Sequence, residues 1–242
     1  MLDDRTLRLG LVRTYLSARK SLWLLATVIV LAVVAAVWGS FEASTPAASD
    51  SRGSTVPLWR LLAVGAALVP ALTLASPMEA LEAAAGRSYH RLRNAVLAGA
   101  TVTSSVCFLT GAALGANLEA IPLIARALPA WLGLALISGR ILGWNYTWVA
   151  PCGVVCVLLY WGPSSGEGFR WWEFTAQEAG DLPSLLLSVG LFASGLAAYS
   201  LTPWRVRNIL RPRPEHVNRS DPGPFGVPGE RDIRPSSKTR PR

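Results

Sequence analysis

Residues 76–93 read Ser-Pro-Met-Glu-Ala-Leu-Glu-Ala-Ala-Ala-Gly-Arg-Ser-Tyr-His-Arg-Leu-Arg, and they lie between two long apolar runs. Ser76 is placed to cap a helix, Pro77 suits its first turn, and Glu79 falls three positions after the cap. This is a capping box with proline at the first helical position. Glu79 and Glu82 come early and Arg87, Arg91 and Arg93 come late, so the charges follow the helix macrodipole. The pattern predicts a short helix on the cytoplasmic side of a membrane protein. Such a helix is either a turnaround between spans or a lever that a soluble partner pushes.

The rest of the chain supplies the spans. Half of it is hydrophobic (51%) and only 16% is charged, which suits a membrane protein better than a soluble domain. Roughly 20 apolar residues cross a bilayer core. Leu22–Trp38, Pro57–Ala75, Ala95–Ala116, Pro122–Gly139, Thr147–Trp161 and Pro183–Leu201 are the six candidates. The fourth carries Arg126 and Pro129, and the fifth is short. The first run follows about twenty mixed residues and is long enough to span, so it reads as a retained span rather than a cleavable signal. Many of the ten Trp residues flank these runs, as interfacial aromatics do.

Charge sets the orientation. Of the 23 Lys and Arg residues, only Arg52, Arg60, Arg126 and Arg170 fall outside if the N-terminus is inside; the other nineteen are cytoplasmic. The last outer loop carries Glu167, Glu173, Glu178 and Asp181. Positive-inside bias therefore predicts an all-α polytopic protein with six spans and both termini inside. Omitting the fourth span would turn the basic tail outward.

Three regions follow: a cytoplasmic amphipathic or elbow segment at 1–20, a transmembrane domain at 21–204, and a basic Pro/Arg-rich tail at 205–242, expected to be disordered. In the first region Leu7, Leu11, Tyr15 and Ala18 share one helical face. That suits an interfacial helix, and a plain basic lead-in to the first span is an equal alternative. The net charge of +8 lies in the gaps and tails around the spans. It therefore argues against nucleic acid, and the tail is expected to have at most a loose attraction to anionic lipid.

Several chemistries are weakened by absence. The chain has no G-x-x-x-x-G-K-[ST] loop, no G-x-G-x-x-G and no H-E-x-x-H, and its only histidines are His90 and His216. It therefore carries no nucleotide-binding loop of its own, no dinucleotide fingerprint and no zinc motif. Cys107, Cys152 and Cys156 all fall in apolar runs, which suggests no disulfide framework. Cys152 and Cys156, four apart, read as packing. Gly111 and Gly115 form a G-x-x-x-G that permits close helix approach. Glu79 and Glu82 could form a carboxylate pair, but capping accounts for Glu79 without catalysis. Thr101, Thr103, Ser104 and Ser105 are expected to bond to their own helix or a neighbour. Arg126 is expected to snorkel at the outer surface, with a substrate contact as the lesser alternative. Phe169, Trp171, Trp172 and Phe174 read as an aromatic belt holding a short outer helix, with a gate over an exit as the sharper alternative.

The layout resembles the six-span permease subunits of ABC-2-type transporters, particularly compact actinobacterial ones. The resemblance rests on the basic N-terminal helix, Pro77-Met78-Glu79-Ala80-Leu81-Glu82 after the second span and the Arg-rich run to Arg93. Arg140-Ile141-Leu142-Gly143, Pro151 at the fifth span and the Trp-rich segment before the sixth complete it. It covers about residues 5–205. It implies a non-enzymatic permease, by family an exporter, in the bacterial cell membrane. A separate P-loop ATPase subunit would bind the ATP, with no cofactor on this chain. A second permease chain, identical or different, would complete the transporter. Pro77, Glu79, Glu82, Arg87, Arg91 and Arg93 would form the ATPase-coupling helix. The short outer loops leave open a full translocation path or an accessory role. The rival readings are a non-transport scaffold or immunity protein docking a cytoplasmic partner, and an intramembrane enzyme, which would need polar residues converging at mid-membrane.

Overall fold

The computed structural model describes residues 21–47, 50–75, 87–115, 118–162 and 170–201. These form six α-helices: α1 (Ser21–Trp38), α2 (Leu58–Leu72), α3 (Arg87–Gly115), α4 (Ala120–Leu142), α5 (Val149–Trp161) and α6 (Leu182–Ser200). A single 3-10 turn, Trp144–Tyr146, separates α4 from α5. Three helices are long and apolar enough to cross a membrane: α3 over His90–Gly115, α4 and α6. The apolar α1 and α2 are shorter.

The fold is mostly helical rather than all-α. Strands β1 (Glu42–Ala47) and β2 (Asp50–Pro57) form an antiparallel hairpin between α1 and α2. Glu42 pairs with Pro57 and Ala43 with Val56, and an irregularity falls between Thr45 and Ala47. The ladder continues into the helix ends, where Leu58 N–H donates to Phe41 O (2.9 Å) and Trp59 N–H to Gly39 O (3.1 Å). Strand β1 also packs on α5.

Helix α4 is the hub, packed by α2, α3, α5 and α6. In its most apolar window 61% is buried, against 28% in α3 and 17% in α6. The fourth span was the least clean in sequence, yet it is the most enclosed of the three long helices. Trp131, Ile124 and Leu136 on α4 and Phe108 on α3 are all essentially fully buried. In lipid, apolar burial gives no net drive to associate, so close packing must hold the helices together.

Small residues make that packing possible. Gly111 and Gly115 lie against the carbonyls of Ala32 and Ala36 on α1, as the G-x-x-x-G suggested. On the other side of the bundle, Gly133 of α4 abuts the Leu191 carbonyl of α6, and Gly195 of α6 abuts the Gly133 carbonyl. Two prolines, Pro70 in α2 and Pro129 in α4, border one small cavity of about 70 Å³.

Helix α5 has 13 residues, about 20 Å at 1.5 Å per residue. Trp148 before it and Tyr160 and Trp161 at its end are all about half exposed. Cys152 and Cys156 are free and exposed on α5, which replaces the expected packing within this chain.

A Cβ at Gly133 would overlap the α6 backbone, whereas one at Gly153 meets nothing within 4 Å. Gly133→Leu should therefore destabilise the protein by at least about 1–3 kcal/mol, the scale of overpacking. Gly153→Leu should leave the melting temperature in detergent unchanged or higher.

Candidate functional site

The hairpin end of the bundle is closed by two buried arginines. Arg60, in the first turn of α2, is paired with Glu173 in the segment before α6, and both side chains are buried. Thr175 completes the cluster: its hydroxyl donates to Glu173 Oε1 and accepts from Arg60 Nη2, both at 2.5 Å. Removing two charges from water costs more than an exposed pair returns, so such a cluster holds only when it is well bonded. Glu173 Oε2 is buried against Gly162 and finds no hydrogen-bond donor among the described residues. Burial pushes the Glu173 carboxyl above its ordinary range, and the Arg60 charge opposes that shift without overcoming it.

Arg126 does not snorkel. It is buried in α4 and donates from Nε to Phe174 O (3.1 Å), from Nη1 to Glu178 O (2.8 Å) and from Nη2 to Gln177 O (2.7 Å). A buried guanidinium needs acceptors, and the backbone of 174–178 supplies them. Phe174 is not in an aromatic belt but in the core, 5.1 Å from Trp131 by ring centroids. Residues 170–181 form turns rather than the expected helix, while Phe169 lies outside the described residues. Trp171 is exposed and Trp172 is half-buried. Asp181 then caps α6, accepting from Ser184 N–H at 3.0 Å. Hydrogen bonds from the Ser184 hydroxyl and backbone hold the Asp181 carboxyl below its ordinary range.

Of the sequence-predicted residues, Arg87, Arg91 and Arg93 lie at the opposite end. Pro77, Glu79 and Glu82 lie outside the described residues, as do the 1–20 segment and the tail from 205. Arg87, Arg91 and Arg93 are not the end of a separate helix: they form the first turns of α3, which runs unbroken from Arg87. No Gly or Pro separates Arg87 from Ala95, so nothing stops the helix there. Arg91 is exposed. Arg93 is buried, with its guanidinium carbon 5.3 Å from the Trp144 ring centroid and 6.0 Å from that of Tyr199. Its Nη2 donates to Leu74 O at 3.4 Å. Tyr199 stacks edge-on to Trp144 at 5.8 Å and donates to Asn94 Oδ1 at 2.8 Å. Arg93 thus joins the end of α2, the start of α3, the α4–α5 junction and the end of α6. Sequence alone gave no sign of the Trp144 and Tyr199 partners.

Two clefts of about 440 Å³ open in this half. One lies between α1, α2 and α3, beside Leu25, Val69 and Ser104. The other lies between α3, α4 and α6, beside Asn94, Leu136, Phe192 and Tyr199. The hydroxyls behave as expected: Thr101 donates to Leu97 O of its own helix and Ser104 to Ala66 O of α2. Among the described residues no group of His, Cys, Asp and Glu could hold a metal ion.

Glu173→Ala removes the buried carboxylate that answers the Arg60 charge, and should cost about 3–5 kcal/mol. The joint Arg60→Met/Glu173→Leu variant should recover most of it. The raised Glu173 pKa also has a pH consequence. Between the unfolded value of 4.5 and the higher folded value, the folded form holds the extra proton, so stability falls as pH rises across that interval. Melting curves against pH should show this slope in the native chain and lose it in Glu173→Gln.

Comparison of the chain with protein-family models, curated proteins and solved structures gives no significant match.

Proposed function

We propose that the chain is the membrane-spanning permease subunit of an ABC-2-type transporter, working as an exporter with a separate ATPase in a bacterial cell membrane. In this reading α1 to α6 are six spans, both termini are cytoplasmic, and the hairpin end faces outward. A second permease chain completes the transporter. ATP binds the partner, and this chain performs no hydrolysis itself.

The observation that carries the reading is the seat of Arg93. It is buried where the ends of α2 and α6, the start of α3 and the α4–α5 junction meet. Residues 76–86 lie in sequence between Leu74 and Arg93. In this reading a force on that segment is passed to four helices through one guanidinium. Alternating access requires two packings of the same helices, biased by a partner's nucleotide state. The latched hairpin end and the clefts at the other end fit an inward-facing packing. Among the described residues no Asp or Glu lies within the helices, which favours a lipid, peptide or amphipathic small molecule over an ion pumped through buried carboxylates.

Tagged protein from its native host, purified in mild detergent, should bring down a stoichiometric P-loop ATPase. Glu79→Ala/Glu82→Ala should abolish that association and reduce transport to background while the chain still inserts. Recovery of the chain with no ATPase would replace the permease reading with a scaffold or immunity protein that docks a different cytoplasmic partner.

A further inference from the structure

We propose that the cleft between α3, α4 and α6 binds one anionic phospholipid, with an acyl chain in the cleft and the phosphate at its mouth beside Arg91 and Arg140. The inference rests on the membrane placement proposed above and is independent of the ATPase.

The cleft has an apolar interior and a polar mouth. Its volume of about 440 Å³ falls within the roughly 300–1,000 Å³ of ligand sites. Leu132, Leu136 and Phe192 form the interior. Leu132, Phe192 and Thr101 also line the smaller cavity between Pro70 and Pro129, so the apolar space continues toward the middle of the bundle. Asn94, Tyr199 and Ser200 stand at the other end of the lining. Tyr199 donates to Asn94 Oδ1, which leaves the Asn94 amide N–H groups to donate elsewhere.

Basic residues stand one turn beyond the lining on two of the cleft's helices. Arg91, Asn94 and Ala98 share one α3 face at the i, i+3, i+7 spacing, and Arg91 is exposed. On α4, Arg140 lies one turn beyond Leu136. Its Nη2 reaches Leu201 O at the 3.5 Å limit of hydrogen bonding, next to Ser200 of the cleft wall. Neither cleft has a basic residue in its own lining, so the anionic preference rests on Arg91 and Arg140, which stand beyond the lining of the cleft between α3, α4 and α6.

The test is native mass spectrometry of the full chain in a neutral detergent, titrated with dimyristoyl phosphatidylglycerol or dimyristoyl phosphatidylcholine. One phosphatidylglycerol should be retained at least about tenfold more tightly than phosphatidylcholine, since each basic residue near an anionic head group contributes about fivefold. Arg91→Gln/Arg140→Gln should abolish that preference and leave phosphatidylcholine retention unchanged. Ala98→Trp, at an exposed position on the cleft wall, should block the bound phosphatidylglycerol. Gly99→Trp, on the wall of the other cleft, should not. If Ala98→Trp fails to fold, Ser200→Trp on the facing wall makes the same test. Equal binding of both lipids, a preference that survives the double Gln variant, or binding undisturbed by the Trp variants would overturn the proposal. The cleft would then belong to a further segment of the chain or to a second copy. Retention of the chain in carbonate-washed membranes reads the membrane placement separately.

Discussion

A guanidinium enclosed in an apolar helix has to be answered by acceptors, and in this protein Arg126 is answered by three backbone carbonyls between Phe174 and Glu178. Those bonds fold the segment before α6 down over α4. Once it is there, Phe174 meets Trp131, Glu173 meets Arg60, and Asp181 is positioned to begin α6. One buried charge thereby connects α2, α4 and α6 at the hairpin end. A lone buried cation would be intolerable, so the segment cannot lift away without exposing Arg126 to water or leaving it unbonded.

The two ends of the bundle are built on different physics. At the hairpin end the contacts are ionic and hydrogen-bonded, directional and enclosed. At the Arg93 end the contacts are aromatic and cation–π, which tolerate sliding better than a bidentate bond does, and clefts lie beside them. The facing prolines of α2 and α4 fall between these regimes, where each helix lacks one backbone donor.

Much of the helical layout was legible because hydropathy and glycine spacing are local. The helices appear where apolar runs predicted them, and Gly111 and Gly115 do approach a neighbour. What was illegible depends on distant partners. Arg60 and Glu173 are 113 residues apart, and no spacing rule links them. Arg126 was misplaced because a single arginine in a span fits snorkelling and burial equally until its acceptors are known. One signal was present: two arginines in apolar windows facing an acidic, aromatic loop. The hairpin was missed because residues 42–57 are small and polar, and their pairing depends on α1 and α2 bringing the strands together. At residues 76–86, the sequence shows a capping pattern at Ser76–Glu79. The turns from Arg87 belong to α3 because no breaker intervenes.

Helix α5 has a consequence for its surroundings. Its half-exposed aromatics, Trp148 at one end and Trp161 at the other, are only about 20 Å apart along the axis, whereas a typical hydrocarbon core is about 30 Å thick. Aromatic side chains of this kind settle at head-group level. On the six-span placement proposed above, a bilayer meeting this face would pinch, drawing the two leaflets toward each other beside α5 while keeping normal thickness beside α3. The protein would therefore carry a dimple in the membrane with it, and would partition toward thinner bilayers.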